Sequence, residues 1–182
     1  YAERLDLDAH LATIQGNAAL IEGNLTLARS AYHQATMLES HASVDSRIGR
    51  ALIHESVGEW SHAESLYMKA LELNPYDVMA GQMWVDASIR ARSAAATTRA
   101  TERFLEDNPD SGAALTAHAR AVRLSGDTAA LKKLSRRGDA IFEREQALFP
   151  SSGYLAASRA LFLVETGRLA AGQEAAEAAL IT

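Results

Sequence analysis

The side chains able to do chemistry are few and scattered. The six histidines are His10, His33, His41, His54, His62 and His118. None lies four residues from another, so no helix carries the paired imidazoles of a common zinc motif. HESVG, from His54 to Gly58, begins like the HExxH motif but has glycine where the second histidine belongs. The spacing predicts a helix end followed by a glycine turn, and no metal site.

Other sets of catalytic residues are also missing. Cysteine is absent, which excludes disulfides, thiolate metal sites and cysteine nucleophiles. The sequence has neither a GxSxG nucleophile motif nor a glycine-rich phosphate loop. We therefore predict a protein that is not an enzyme and that needs no cofactor.

One dense basic cluster stands out, in the segment KKLSRR. Its four cations, Lys132, Lys133, Arg136 and Arg137, lie on adjacent helical faces if the segment is helical. The cluster is either a docking patch for an acidic partner or phosphate, or a solvated face balanced by Glu143 and Glu145. The net charge of −5 argues against nucleic acid as a partner.

Helices are the elements that this composition favours. Apolar residues make up 48% of the chain but aromatics only 6%, so small and aliphatic side chains dominate, as in closely packed helices. Pro75, Pro109 and Pro150 each follow a helical pattern and indicate breaks between helices. No apolar run reaches the roughly 20 residues that span a bilayer, so direct membrane insertion is not expected.

An internal repeat organises these helices. GNLTLARSAYHQATMLE at 23–39 aligns with GEWSHAESLYMKALELN at 58–74, a period of 35 (58 − 23 = 35). Glycine, alanine, tyrosine, alanine and leucine recur in register: the pairs are Gly23 and Gly58, Ala28 and Ala63, Tyr32 and Tyr67, Ala35 and Ala70, and Leu38 and Leu73. The pattern predicts two helices joined at a glycine with positive φ, and small residues where helices cross.

The repeat continues with weaker conservation of its anchors. LEDNP follows LELNP by 34 residues (109 − 75 = 34), and Gly126 and Gly167 mark two further turns, whereas Arg92 replaces the glycine of the third. The predicted repeats cover approximately 9–42, 44–77, 78–111, 112–150 and 153–182, in one array over 1–182. The second helix of the fourth repeat is about seven residues longer, and its segment 127–149 is either continuous or broken at Gly138.

This period and anchor pattern resemble the tetratricopeptide repeat. The resemblance implies an all-α solenoid of stacked antiparallel helix pairs that form a right-handed superhelix. It also implies a scaffold or adaptor that binds a partner protein or peptide in a concave groove lined by the first helix of each repeat. By position, the groove residues are His10, Thr13, Asn17, Leu20, Asp45, Ile48, Leu52, Glu55, Met79, Gln82, Asp86, Arg90, Thr116, Arg120, Arg123, Tyr154 and Leu161.

Aromatic and arginine side chains are expected to dominate the binding energy. Tyr154, Arg90, Arg120 and Arg123 are therefore the expected hot spots, and Arg120→Glu is expected to weaken partner binding while leaving the fold intact. Only Asn17 matches the clamp by which some members of the family hold a chaperone's C-terminal carboxylate, so that partner is disfavoured.

Two alternative functions share the same fold. One is a periplasmic superhelix of an export or polysaccharide secretion system, and the other is the recognition module of a larger enzyme. The alanine-rich composition favours a bacterial source, and either cytoplasm or periplasm fits. Residues 1–8 are expected to end an earlier helix, and no polar helix follows the last repeat, which indicates a fragment of a longer chain or self-association through uncapped ends.

Overall fold

The computed structural model describes residues 2–38, 43–150 and 152–180. These residues form ten α-helices and no strand, as the sequence predicts. The chain divides into two compact units, residues 1–74 and 75–182. The sequence places the end of the first repeat at residue 42 and that of the fifth at Thr182, and both positions lie outside the described residues.

The first unit contains two helix pairs. Its helices are α1 (Ala2–Ile21), α2 (Leu25–Leu38), α3 (Val44–Ser56) and α4 (Trp60–Leu73). The extensive contacts are between α1 and α2 and between α3 and α4, and α3 also packs on both helices of the first pair. Residues 2–8 belong to α1 and do not end an earlier helix, because no glycine or proline separates them from the residues that follow.

The second unit contains three helix pairs. Its helices are α5 (Val78–Ala91), α6 (Ala94–Asp107), α7 (Gly112–Ser125), α8 (Thr128–Leu148), α9 (Gly153–Glu165) and α10 (Leu169–Ala179). The first helices of the pairs lie side by side, with α7 packed between α5 and α9. The helix α8 has 21 residues against 14 in α6, and it runs without a break through Gly138.

Glycine makes the turn inside four of the five helix pairs. Gly23, Gly58, Gly126 and Gly167 have φ between 75° and 82°, a range that L side chains rarely adopt. The third pair turns differently, because Arg92 has φ −128° and Ser93 caps α6 by accepting a hydrogen bond from Ala96 N–H. The spacing of glycines in the sequence thus predicts the four left-handed turns correctly.

Close helix crossings in the first unit depend on two glycines that face one tyrosine. The Tyr32 ring is fully buried and contacts the backbone of both Gly16 on α1 and Gly49 on α3. Its hydroxyl donates to Asn17 Oδ1 at 2.6 Å. Burial, and then the charge of Asp45, raises the pKa of this hydroxyl. Tyr32 therefore joins three helices, as expected for an anchor of the repeat.

Aromatic packing against a glycine recurs in the second unit. Phe142 on α8 and Phe162 on α9 are buried, with ring centroids 5.3 Å apart. Gly138 lies directly against the Phe162 ring, and a Cβ there would also meet Leu115 Cδ2 at 3.1 Å. The function of Gly138 is therefore close packing of α8 on α9, which explains why the helix is not broken there.

The third repeat has threonines at the positions of the alanine and tyrosine anchors, and they bring hydroxyl groups into a core that is otherwise largely apolar. Thr97 and Thr101 are fully buried. Their hydroxyls lie 3.0 Å from Ser88 Oγ and 3.0 Å from His118 Nδ1, respectively. Burial lowers the pKa of His118, which favours the neutral imidazole as the form that shares a hydrogen bond inside the core. The weaker sequence match at this repeat thus reflects a different way of filling the same space.

Candidate partner-binding surface

Three of the predicted groove residues on α5 and α7 meet in an ion network with one acidic side chain that sequence reasoning missed. Arg120 on α7 donates to both oxygens of Asp86 on α5, with distances of 2.8–2.9 Å. It also donates to Glu165 Oε1 on α9 at 2.8 Å, and Arg123 donates to Glu165 Oε2 at 2.7 Å. The network therefore joins the first helices of all three repeats in this unit.

The centre of the ion network is buried, so its ion pairs help to hold the helices together. The Glu165 side chain is only 4% exposed, whereas Arg120 is 24% exposed and Arg123 is 42% exposed. Burial disfavours the charge of Arg120, but hydrogen bonds and charge from Asp86 and Glu165 outweigh it and raise the guanidinium pKa. The expectation that Arg120→Glu leaves the fold intact therefore needs correction, because the new carboxylate would face two others.

Tyr154, a predicted hot spot, also has an internal function. Its hydroxyl donates to Tyr76 O at 2.5 Å and accepts from Val78 N–H at 2.8 Å. Burial of the hydroxyl raises its pKa. The residue is nevertheless 50% exposed, so its polar end fastens α9 to the start of α5 while much of its surface is left open.

Three predicted groove side chains are buried, which corrects their assignment as contacts. Thr13 donates to Ala9 O at 3.1 Å and Thr116 donates to Gly112 O at 2.6 Å, so both hydroxyls are satisfied within their own helices. Gln82 is 9% exposed, and neither polar atom of its amide has a hydrogen-bond partner among the described residues. A partner resting on the surface would not reach these side chains.

The remaining predicted groove residues are at least partly exposed. In the first unit, His10, Asn17 and Asp45 are exposed, and Leu20, Ile48, Leu52 and Glu55 are half-buried. In the second unit, Met79, Arg90, Arg123, Tyr154 and Leu161 are exposed, and Asp86 and Arg120 are half-buried. Nothing beyond this exposure tests the predicted contacts, which remain predictions.

The predicted basic cluster lies on α8 as an exposed surface. Lys132, Lys133, Arg136 and Arg137 are all exposed, and Arg137 Nη2 donates to Pro109 O at 3.1 Å. Of the two acids expected to balance it, Glu145 accepts from Gly112 N–H at 3.2 Å. Glu145 therefore bonds to the first residue of α7. The docking role of the basic cluster remains a prediction.

An apolar hollow between α9 and α10 was not anticipated. A cavity of about 520 Å³ has Leu161, Val164, Leu169 and Leu180 among its lining residues. All four are exposed, Leu169 by 65% and Leu180 by 87%. Only Leu161 was predicted to bind, because the resemblance drew attention to first helices and the hollow also uses α10.

Three side chains that can bind a metal ion lie close together at the turn between α3 and α4. Among the described residues, His54, Glu59 and His62 bring donor atoms within 4.8 Å of one another.

None of the described helices is both long enough and apolar enough to cross a membrane.

Solved structures of several proteins share this arrangement of helices. The MamA protein superposes with a TM-score of 0.50 at 14% identity, over 95% of this chain and 90% of that chain. A tetratricopeptide repeat protein from Parabacteroides merdae gives 0.50 at 22% identity, over 96% and 65%. The chain has the tetratricopeptide repeat fold. PilF of Pseudomonas aeruginosa gives 0.52 at 14% identity, over 94% and 74%.

The likeness is one of fold. No family model matches the sequence, and no curated protein matches it either. Identities of 14–22% carry no residue roles from those proteins to this chain. In the tetratricopeptide repeat fold, α5, α7 and α9 are the first helices of their repeats, and they carry the ion network together with the exposed Tyr154 and Leu161.

Proposed function

We propose that this chain is an interaction scaffold that binds an amphipathic segment of another protein. The binding site is the first-helix surface of the second unit, which we define by Met79, Asp86, Arg123, Tyr154 and Leu161. The observation that carries the proposal is the exposure of three large apolar side chains on α5 and α9, two of the helices that the ion network joins side by side. The apolar side chains of this surface would contact the apolar face of the partner segment, and its charged side chains would contact the polar edge of that segment.

Exposed apolar area supports binding here. Met79 is 56% exposed and Tyr154 is 50% exposed, and the hollow beside Leu161 extends the apolar surface onto α10. Contiguous exposed apolar patches on otherwise polar surfaces mark interaction sites. The network keeps α5, α7 and α9 in fixed register, so the partner meets a surface that needs little ordering on binding.

Site-specific photocrosslinking tests the proposal. A photoreactive amino acid is placed at Met79 or Leu161 on first helices, and at Glu102 or Glu143 on second helices as matched exposed controls. After irradiation of cells that naturally make the protein, Met79 and Leu161 are expected to give one adduct of defined mass. The second-helix positions are expected to give none of it. Leu161→Asp is expected to reduce the adduct formed from position 79.

The proposal fails if the second-helix positions yield the same adduct, or if neither first-helix position yields one. An adduct with twice the mass of the chain would identify a second copy as the occupant. That result would replace the proposed partner by self-association.

A further inference from the structure

The turn between α3 and α4 gathers three metal-binding side chains in the first unit. His54 lies in the last turn of α3, Glu59 directly precedes α4, and His62 lies in the first turn of α4. Gly58, with φ 78°, reverses the chain between them. On one continuous helix, the H-x4-E-x2-H spacing would hold His54 and His62 more than two turns apart. The chain reversal at Gly58 brings the two histidines together.

The three donors lie close enough to serve one ion. One ligand atom from each residue falls within 4.8 Å of the others. His54 Nδ1 lies 2.5 Å from Glu59 Oε2, and the two imidazoles stack with centroids 5.2 Å apart at 22°. His54 is half-buried, while Glu59 and His62 are exposed, so an ion can reach the cluster directly from solvent.

We propose that His54, Glu59 and His62 form a binding site for a divalent transition-metal ion, with zinc as the best match. Imidazole nitrogen suits Zn²⁺, Cu²⁺ and Ni²⁺, whereas Mg²⁺ and Ca²⁺ prefer sites made of oxygen alone. Zinc–ligand bonds of about 2.0–2.2 Å place tetrahedral donors about 3.3–3.6 Å apart. The distance from His54 Nδ1 to Glu59 Oε2 must lengthen from 2.5 Å, and the His62 ring must turn out of its stack with His54. Rotation of the exposed Glu59 and His62 side chains supplies both changes.

The surroundings favour an anion as the fourth ligand. A cavity of about 690 Å³ opens beside the cluster and is lined by His54 and Glu59 as well as by Arg29 and Arg50. Three protein ligands leave one tetrahedral position open. Because two guanidinium groups share the cavity, a chloride or carboxylate there is favoured over water, and it offsets the repulsion between the metal and the arginines.

Zinc binding should also stabilise the first unit. The ligands join the end of α3 to the start of α4, a geometry that the unfolded chain does not hold. An ion that binds only the folded state raises the unfolding temperature as its concentration rises. Affinity and stability are therefore two separate readouts of the same site.

The test is a titration of the full chain, purified without a polyhistidine tag, with Zn²⁺ alone against a chromogenic chelator. One zinc ion per chain is expected. His62→Ala and His54→Ala are each expected to weaken binding at least about tenfold, because each loses a direct ligand. His10→Ala, which removes an exposed histidine on α1, is the matched control and is expected to bind like the wild type.

Thermal unfolding supplies the second measurement. Zinc is expected to raise the unfolding temperature of the wild type and of His10→Ala, but not that of His62→Ala, whose circular dichroism without metal should match the wild type. Mg²⁺ is expected to have no effect. Absence of stoichiometric zinc binding, or equal losses in His62→Ala and His10→Ala, would overturn the site.

Discussion

Glycines inside the helices of the second unit differ in how closely a neighbouring side chain approaches them. Gly138 on α8 lies against the Phe162 ring, so an added methyl group overlaps the ring unless α8 and α9 separate. We expect Gly138→Ala to lower the free energy of unfolding by about 1–3 kcal/mol, the usual cost of overpacking. Urea denaturation followed by circular dichroism measures the loss.

Gly81→Ala is the matched control for this prediction. Gly81 also lies inside a helix, but its added Cβ would meet the nearest atom, Ala117 Cβ, at an ordinary 3.4 Å. Alanine favours helix over glycine by up to about 1 kcal/mol, so this variant should be as stable as the wild type or more stable. Equal losses in both variants would show that helix propensity and contact with Phe162 do not distinguish the two sites.

For single residues, the sequence predicts backbone requirements better than side-chain partners. The glycine turns follow from spacing, since Gly58 and Gly126 recur at the repeat period and only glycine adopts their φ easily. The contact of Gly138 with Phe162 joins residues on different helices, and no local pattern encodes it. For the same reason, the approach of His54 to His62 across a turn was missed.

Arg120 links three helices of the second unit, and its replacement tests how these elements are held. Arg120→Met keeps much of the aliphatic packing but removes the hydrogen bonds to Asp86 and leaves Glu165 with Arg123 alone. A buried carboxylate that loses a charged partner destabilises the fold by about 1–3 kcal/mol. Part of the network is solvent-exposed, which keeps the loss well below that of a fully buried pair.

The comparison variant is Arg144→Met, which removes an exposed ion pair with Asp110 on the same unit. Solvent screens that pair, so its loss should leave the urea midpoint nearly unchanged. If Arg120→Met proves as stable as Arg144→Met, the network does not hold α5, α7 and α9 together. Measurements in high salt should reduce the difference only slightly, because Glu165 is shielded from solvent.

At the scale of whole helices, sequence reasoning succeeds where the period is strict. The glycine and proline spacing indicates the helix pairs and the longer α8, and the structure shows both. It assigns residues 1–8 to an earlier helix, whereas α1 begins at Ala2. The repeat alignment starts at residue 9, and the polar residues before it carry no repeat anchor that would show that they belong to the same helix. It also misses the function of Glu165, because a carboxylate at the end of an apolar helix is normally expected in solvent.

The division of the chain into two units places two repeats in one and three in the other. A helix pair cannot bury its apolar face alone, and about three repeats are needed before stacking gives a stable array. The second unit meets that number, and internal bonds hold its first residues: Ser111 Oγ donates to Pro75 O at 2.9 Å, and Tyr154 fastens the segment at Tyr76 and Val78.

We therefore expect a fragment of residues 75–182 to fold alone with a cooperative urea transition, whereas residues 1–74 alone should unfold at a lower urea concentration or without a cooperative transition. Repeat stability is a sum of intrinsic and nearest-neighbour terms, and 1–74 has one repeat interface against two in 75–182. Circular dichroism during urea titration of both fragments and the whole chain measures this. A fragment 1–74 that resists urea better than 75–182 would contradict the expectation.

Zinc added to 1–74 should move its transition towards higher urea, because the proposed metal ligands all lie in that fragment.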